Sequence, residues 1–162
     1  MSRTLVRLFW WMTVTVCLVS SMTSFAQDHA TIKSYPNGAF ALGWTHIVST
    51  PGGILYYNVD TGAGAFATLG GAGTHNTIKI YAPGAFATGW THIVSTPGGI
   101  LYYNTATGAG AIGRFDGAGN HTTVKVFPPG AFATGWSRII STPSGILFYN
   151  GQTGAGAVGR IQ

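Results

Sequence analysis

The sequence contains no glutamate and only three aspartates, Asp28, Asp60 and Asp116, and charged residues make up 7% of its 162 positions. Hydrolysis by paired carboxylates needs two acids of separated pKa facing one substrate. Asp60 stands where the other repeats carry Ala106 and Gln152, and Asp116 where they carry Gly70 and Gln162, so no acid recurs. A symmetric catalytic pair is therefore excluded, and the expectation is a protein that is not an enzyme. Cysteine occurs once, at Cys17, which leaves no disulfide framework and no thiolate metal ligand. The histidines repeat, but without close His-x-His pairs, so no metal and no other cofactor is expected. The glycine-rich stretches "GGAGTHN" and "DGAGNH" are followed by no lysine and open no helix, so they read as turns and not as phosphate loops.

Long apolar runs are also missing after the first residues. Arg3 and Arg7 precede an apolar stretch from Leu8 to Val19, and Ser24-Phe25-Ala26 supplies the small residues read by a signal peptidase. Residues 1–26 are expected to be a signal peptide cleaved after Ala26; a retained N-terminal anchor is the alternative. The stretch is shorter than the roughly 20 apolar residues of a spanning helix, so no membrane insertion is expected once it is removed. The remainder, 27–162, is exported and of one-domain size. It is mildly basic, with Lys33, Lys79, Lys125, Arg114, Arg138 and Arg160 against the three aspartates. These cations are spread one or two per repeat and form no patch, which argues against nucleic acid.

What the sequence has in abundance is repetition. "GWTHIVSTPGGILYYN" occurs at 43–58 and again at 89–104, and returns as "GWSRIISTPSGILFYN" at 135–150. Trp44, Trp90 and Trp136 mark a strict 46-residue period, a length typical of propeller blades. Each period reads as four strands. "WTHIVST" ends at Pro51-Gly52-Gly53, "GILYYN" follows, "AGAFATL" comes after the "NVDTG" loop, and "NTIKIY" closes the unit. "GILYY" shows no alternation, so both of its faces should be covered. In "TIKIY", Ile78 and Ile80 are expected on one face, with Thr77, Lys79 and Tyr81 on the other.

The described order begins with a fourth-strand copy, "ATIKSY" at 30–35, and ends with a third-strand copy, "GAGAVGRIQ". One unit is thus split between the two ends, as in a ring latched by its first strand. Three blades leave too wide an angle to close a propeller, which typically has four to eight. The expected architecture is all-β, with three four-stranded blades per chain and six in a head-to-tail homodimer, where Ile32 and Lys33 pair beside Val158 and Gly159 of the other copy. A monomeric β-trefoil, also three units of four strands, is the alternative.

The pairs Gly43-Trp44 and Leu55-Tyr56, with the turn Pro51-Gly52-Gly53 between them, resemble the repeat of tachylectin-type β-propeller lectins. The resemblance covers nearly all of residues 27–162. It implies shallow sites between adjacent blades, one per repeat, for glycans, with N-acetylated amino sugars as the family's ligands. The first strand is less aromatic than in those lectins, and their Asp-Asn-Trp group is absent.

Trp, Tyr and Asn offer amphipathic faces with hydrogen-bonding tips, suited to a sugar ring that is apolar on one side. The candidate ligand-binding residues are Trp44, Trp90 and Trp136; His46, His92 and Arg138; and Asn58, Asn104 and Asn150. Each has a plainer reading: the tryptophans as wedges between sheets, the asparagines as turn residues. Two function classes follow. One is a secreted, lectin-like protein using several weak sites at once. The other is a non-enzymatic structural or protein-interaction module of the cell envelope, whose repeats are alike through recent duplication.

Overall fold

The computed structural model describes residues 29–161. The expected signal peptide, with Cys17, lies outside the described residues. The chain divides into Met1–Ala30 and Thr31–Gln162, and the second unit is the one described below.

Every regular element described is a β-strand. The first repeat forms β1 (His46–Thr50), β2 (Gly53–Tyr57), β3 (Gly64–Leu69) and β4 (His75–Tyr81). The second forms β5 (His92–Thr96), β6 (Gly99–Tyr103), β7 (Gly110–Phe115) and β8 (His121–Phe127), and the third β9 (Arg138–Thr142), β10 (Gly145–Tyr149) and β11 (Gly156–Gly159). They make three antiparallel meanders, β1-β2-β3-β4, β5-β6-β7-β8 and β9-β10-β11. None closes into a barrel. A β-trefoil needs one, so that alternative is set aside. Strands of the first position lie side by side, β1 against β5 and β5 against β9. Their exit turns, Thr50-Pro51, Thr96-Pro97 and Thr142-Pro143, line one shared cavity of about 440 Å³.

The unalternating second strand is covered on both faces in the first two repeats, as expected, whereas in the third Leu147 and Tyr149 are exposed. All five residues of β6 are buried, and Leu55 and Tyr57 of β2 are wholly so. The covering is done by the next sheet. Leu55 and Tyr57 share a core with Ile93, Ile100, Tyr102 and Ala111, while Leu101, Tyr103 and Ile112 share one with Ile146 and Phe148. Successive sheets thus pack face to face.

The chain between sheets straps each to its predecessor. Gly84 N, Phe86 N and Gly89 N donate to the carbonyls of Thr61, Gly62 and Val59, in the loop between β2 and β3. Tyr57 Oη donates to the Ala87 carbonyl at 2.9 Å. One period later Gly130, Phe132 and Gly135 donate to Thr107, Gly108 and Thr105, and Tyr103 Oη to Ala133. The approach is close at Gly62 and Gly108, both at φ +66°, where a Cβ would collide with the carbonyl oxygens of Phe86 and Phe132.

The expected alternation holds over Lys79-Ile80-Tyr81, with Ile80 77% exposed and Lys79 and Tyr81 half-buried, but Thr77 lines the same pocket as Ile80 instead of sharing the face of Lys79. A bulge shifts the register between Phe66 and Ala67, so that Phe66 pairs with Lys79 but Ala67 with Thr77. Beyond the bulge, Lys79 and Tyr81 face the second sheet. The Lys79 stem rests on Gly119, its Nζ lies over the Tyr81 ring and donates to Asn120 Oδ1, and Tyr81 Oη donates to the Gly119 carbonyl. A lysine stem packs as apolar surface while its ammonium reaches water.

Residues 30–35, expected as a fourth strand, are exposed and unpaired as a strand in the single chain, because the three-stranded sheet they match lies at the far end. They still rest where a preceding sheet's fourth strand would: Lys33 and Ile32 meet Gly73, and Tyr35 Oη donates to the Gly73 carbonyl.

Tyr103→Phe should cost about 1–2 kcal/mol in denaturant unfolding, since the strap carbonyl of Ala133 loses its donor. Gly108→Ala should cost more, because strain at positive φ adds to the collision.

Candidate functional site

The same pocket recurs in the first two repeats, between the strap and one face of the sheet it leads into. In the first it encloses about 390 Å³ and is lined by Phe40, Trp44, Tyr56, His75, Thr77 and Ile80, among others. In the second it encloses about 180 Å³, with Phe86, Trp90, Tyr102, His121, Thr123 and Val126 in the same places. Trp lies just before the first strand, Tyr on the second, and His with Thr on the fourth.

The geometry repeats to within a few tenths of an ångström. The Trp44 and Tyr56 rings are 5.8 Å apart and those of Trp90 and Tyr102 5.9 Å. Tyr56 Oη is 3.1 Å from His75 Nε2, and Tyr102 Oη 3.3 Å from His121 Nε2. Phe40 meets His75 edge-on at 4.8 Å, and Phe86 meets His121 at 4.9 Å. The first pocket is larger because it runs on along Ala63 and Tyr81-Ala82-Pro83; its roof also differs in support, Phe86 meeting Tyr57, Tyr81 and Phe115 and Phe40 meeting Tyr35.

In the second repeat burial favours the neutral forms of Tyr102 and His121. It raises the Tyr102 hydroxyl far above its ordinary value, assisted by the phenols of Tyr57 and Tyr81, and lowers the His121 imidazole below the usual histidine range. Burial, then the neighbouring Tyr35, also raises Tyr56. An aromatic wall, a neutral hydroxyl–imidazole pair and a threonine suit an uncharged, hydroxylated ligand with one apolar face. Among the described residues no three of His, Cys, Asp and Glu gather together.

The nine residues singled out from the sequence do not converge. Trp44 and Trp90 each form a wall of the pocket, and Trp136 lies 6.1 Å from Phe148 in the third repeat. His46 and His92 lie instead against Tyr57 and Tyr103, on the opposite face of each sheet, and His46 Nε2 is 3.2 Å from the Thr91 carbonyl. Arg138 Nη1 donates to the Ser137 carbonyl. Asn58, Asn104 and Asn150 hold the loop after the second strand. Asn58 Oδ1 accepts from the amides of Asp60 and Thr61 while its Nδ2 donates to Gly43, and Asn104 repeats all three bonds. Asn150 Oδ1 likewise accepts from Gln152 and Thr153. The polar members of the pocket, Tyr56 with His75 and Tyr102 with His121, went unselected. Their signal was a Tyr and a His 19 residues apart, recurring at the period.

No family model matches the chain, and no similar protein was found among curated proteins or solved structures.

A lowered His121 pKa means that the unfolded chain binds the extra proton first. Stability is therefore full above the ordinary histidine value and is lost as pH falls through it toward the folded value. The melting temperature should fall between pH 7.5 and 5, and His121→Gln should flatten that dependence.

Proposed function

We propose that the protein is a secreted, multivalent carbohydrate-binding protein, and that its sheets are propeller blades, six of which close a ring from two head-to-tail copies. The recurrence of one aromatic pocket, Trp–Tyr–His with a threonine at the rim, supports this reading most directly. A pyranose offers an apolar face to Trp44 or Trp90, and its hydroxyls suit the Tyr–His pair and Thr77 or Thr123. The resemblance to tachylectin-type repeats agrees, with N-acetylated amino sugars as the first ligands to test. Binding at each pocket is weak, and linking several sites on one particle raises avidity by about two to four orders of magnitude.

The ring follows from the ends of the array. Leu55 and Leu101 are 0% exposed beneath the following sheet, whereas Leu147, their counterpart, is 39% exposed. Ile140 and Val158 are bared beside it, and at the other end Ile47 is exposed where Ile93 is buried. The two surfaces are counterparts of faces that pack together twice within the chain, so a second copy is their natural cover.

Light scattering should give the mass of two chains. A glycan array should show binding to N-acetylglucosamine-terminated structures at high surface density. Thr77→Arg with Thr123→Arg, both exposed rim positions, should lower N-acetylglucosamine binding at least about tenfold while leaving the melting temperature within a few degrees. A clean array would remove the carbohydrate reading, and unchanged binding in the double variant would move the site elsewhere.

A further inference from the structure

The third repeat carries only part of the pocket. Trp136, Phe132 and Phe148 stand where Trp90, Phe86 and Tyr102 do in the second, but β11 has no fourth strand beside it, so the positions of His121 and Thr123 are empty in this sheet. Resting on the ring reading above, we infer that the third pocket is shared between two copies: the partner's Thr31 and neighbouring residues complete it by adding residues 29–35 to β11 as the missing strand.

The register is fixed by the two complete sheets. Ala65 pairs with Ile80, Phe66 with Lys79 and, across the bulge, Ala67 with Thr77; the second sheet pairs Ala111 with Val126, Ile112 with Lys125 and Gly113 with Thr123. Carried one period further, Ala157 meets the partner's Ser34, Val158 the partner's Lys33 and Gly159 the partner's Thr31. Thr31 thereby takes the rim position of Thr77 and Thr123, and the register continued to position 29 meets a histidine in sequence.

Three observations support the fit. The segment 36–43 already has the strap conformation: Gly38 and Gly43 lie at φ 80° and 84°, against 81° and 78° for Gly84 and Gly89. Lys33 and Tyr35 already sit on Gly73 as Lys79 and Tyr81 sit on Gly119. Tyr149 keeps the hydroxyl that in Tyr57 and Tyr103 reaches the following strap, although no strap lies against it among the described residues; the repeat assigns that bond to the carbonyl of the partner's Ala41. Phe148, by contrast, lacks the hydroxyl of Tyr56 and Tyr102, so the shared pocket has an imidazole position without the phenol that holds it. It should bind the same sugars with different strength.

The test uses full chains carrying Cys17→Ser, so that each has one cysteine. Lys33→Cys and Val158→Cys chains are mixed and oxidised, and Thr31→Cys is mixed with Gly159→Cys in parallel. Both mixtures should give a disulfide-linked heterodimer, and Lys33→Cys mixed with Ile140→Cys should not. Thr31→Arg should leave the two-chain mass unchanged and abolish one in three N-acetylglucosamine sites by calorimetric titration. A two-chain particle in which neither pair links overturns the strand addition while sparing the ring. Linkage with all three sites retained in Thr31→Arg overturns the shared pocket alone, and a one-chain mass removes the ring reading and this inference together.

Discussion

Everything in this fold depends on sheets that are apolar on both faces. A single four-stranded meander buries little, and strand two, Gly-Ile-Leu-Tyr-Tyr in the first two repeats and Gly-Ile-Leu-Phe-Tyr in the third, has no polar side to turn to water. Fully covering one Leu or Ile is worth about 1.5–3 kcal/mol, so a sheet exposing several such residues is not stable alone. The solution is a stack in which Leu55 and Tyr57 press on Ile100 and Tyr102, and Leu101 and Tyr103 press on Ile146 and Phe148. Because the repeats are nearly identical, the leading face of one sheet fits the trailing face of any other. Such a stack has no internal reason to stop at three.

The strap is the second consequence of that constraint. Two apolar faces slide unless something sets their angle, and here it is set by backbone bonds to the loop before each third strand. Asn58 and Asn104 organise that loop by capping two amides each, and the glycines at φ +66° let the strap approach without a Cβ between. The asparagines therefore act on the neighbouring sheet through the loop they shape. The strap also carries Phe40 or Phe86 over the sheet, so one element fixes the angle and roofs the pocket.

Much of this was legible in the sequence, and the limits have identifiable causes. The period, the four strands of each unit and the two-sided burial of strand two follow from spacing and turn chemistry, which are local. The fourth strand was misread at Thr77 because alternation assumes an unbroken pleat. One bulge at Phe66/Ala67 puts Thr77 on the face of Ile80, while Lys79 and Tyr81 turn to the second sheet. Trp44 and Trp90, picked out from the sequence, line the recurring pocket, but its polar members were not picked out, since Tyr56 and His75 meet only after β2, β3 and β4 have paired. The histidines that were chosen, His46 and His92, lie on the other face, two residues from the tryptophan along the chain yet directed away from it.

The two described pockets show how a repeated sequence yields unequal sites. Most of their lining residues correspond, but the first runs on along Ala63 and Tyr81-Ala82-Pro83, whose counterparts do not line the second, and it is about twice the volume. The roofs are held differently as well: Phe86 meets Tyr57, Tyr81 and Phe115, while Phe40 meets Tyr35, and the position of Phe115 is Leu69 in the first repeat. A sheet laid on the leading face of the first would bring a ring to Phe40 where Tyr57 stands beside Phe86, and any ligand that prefers the altered pocket would favour that covered state by its difference in affinity for the two forms.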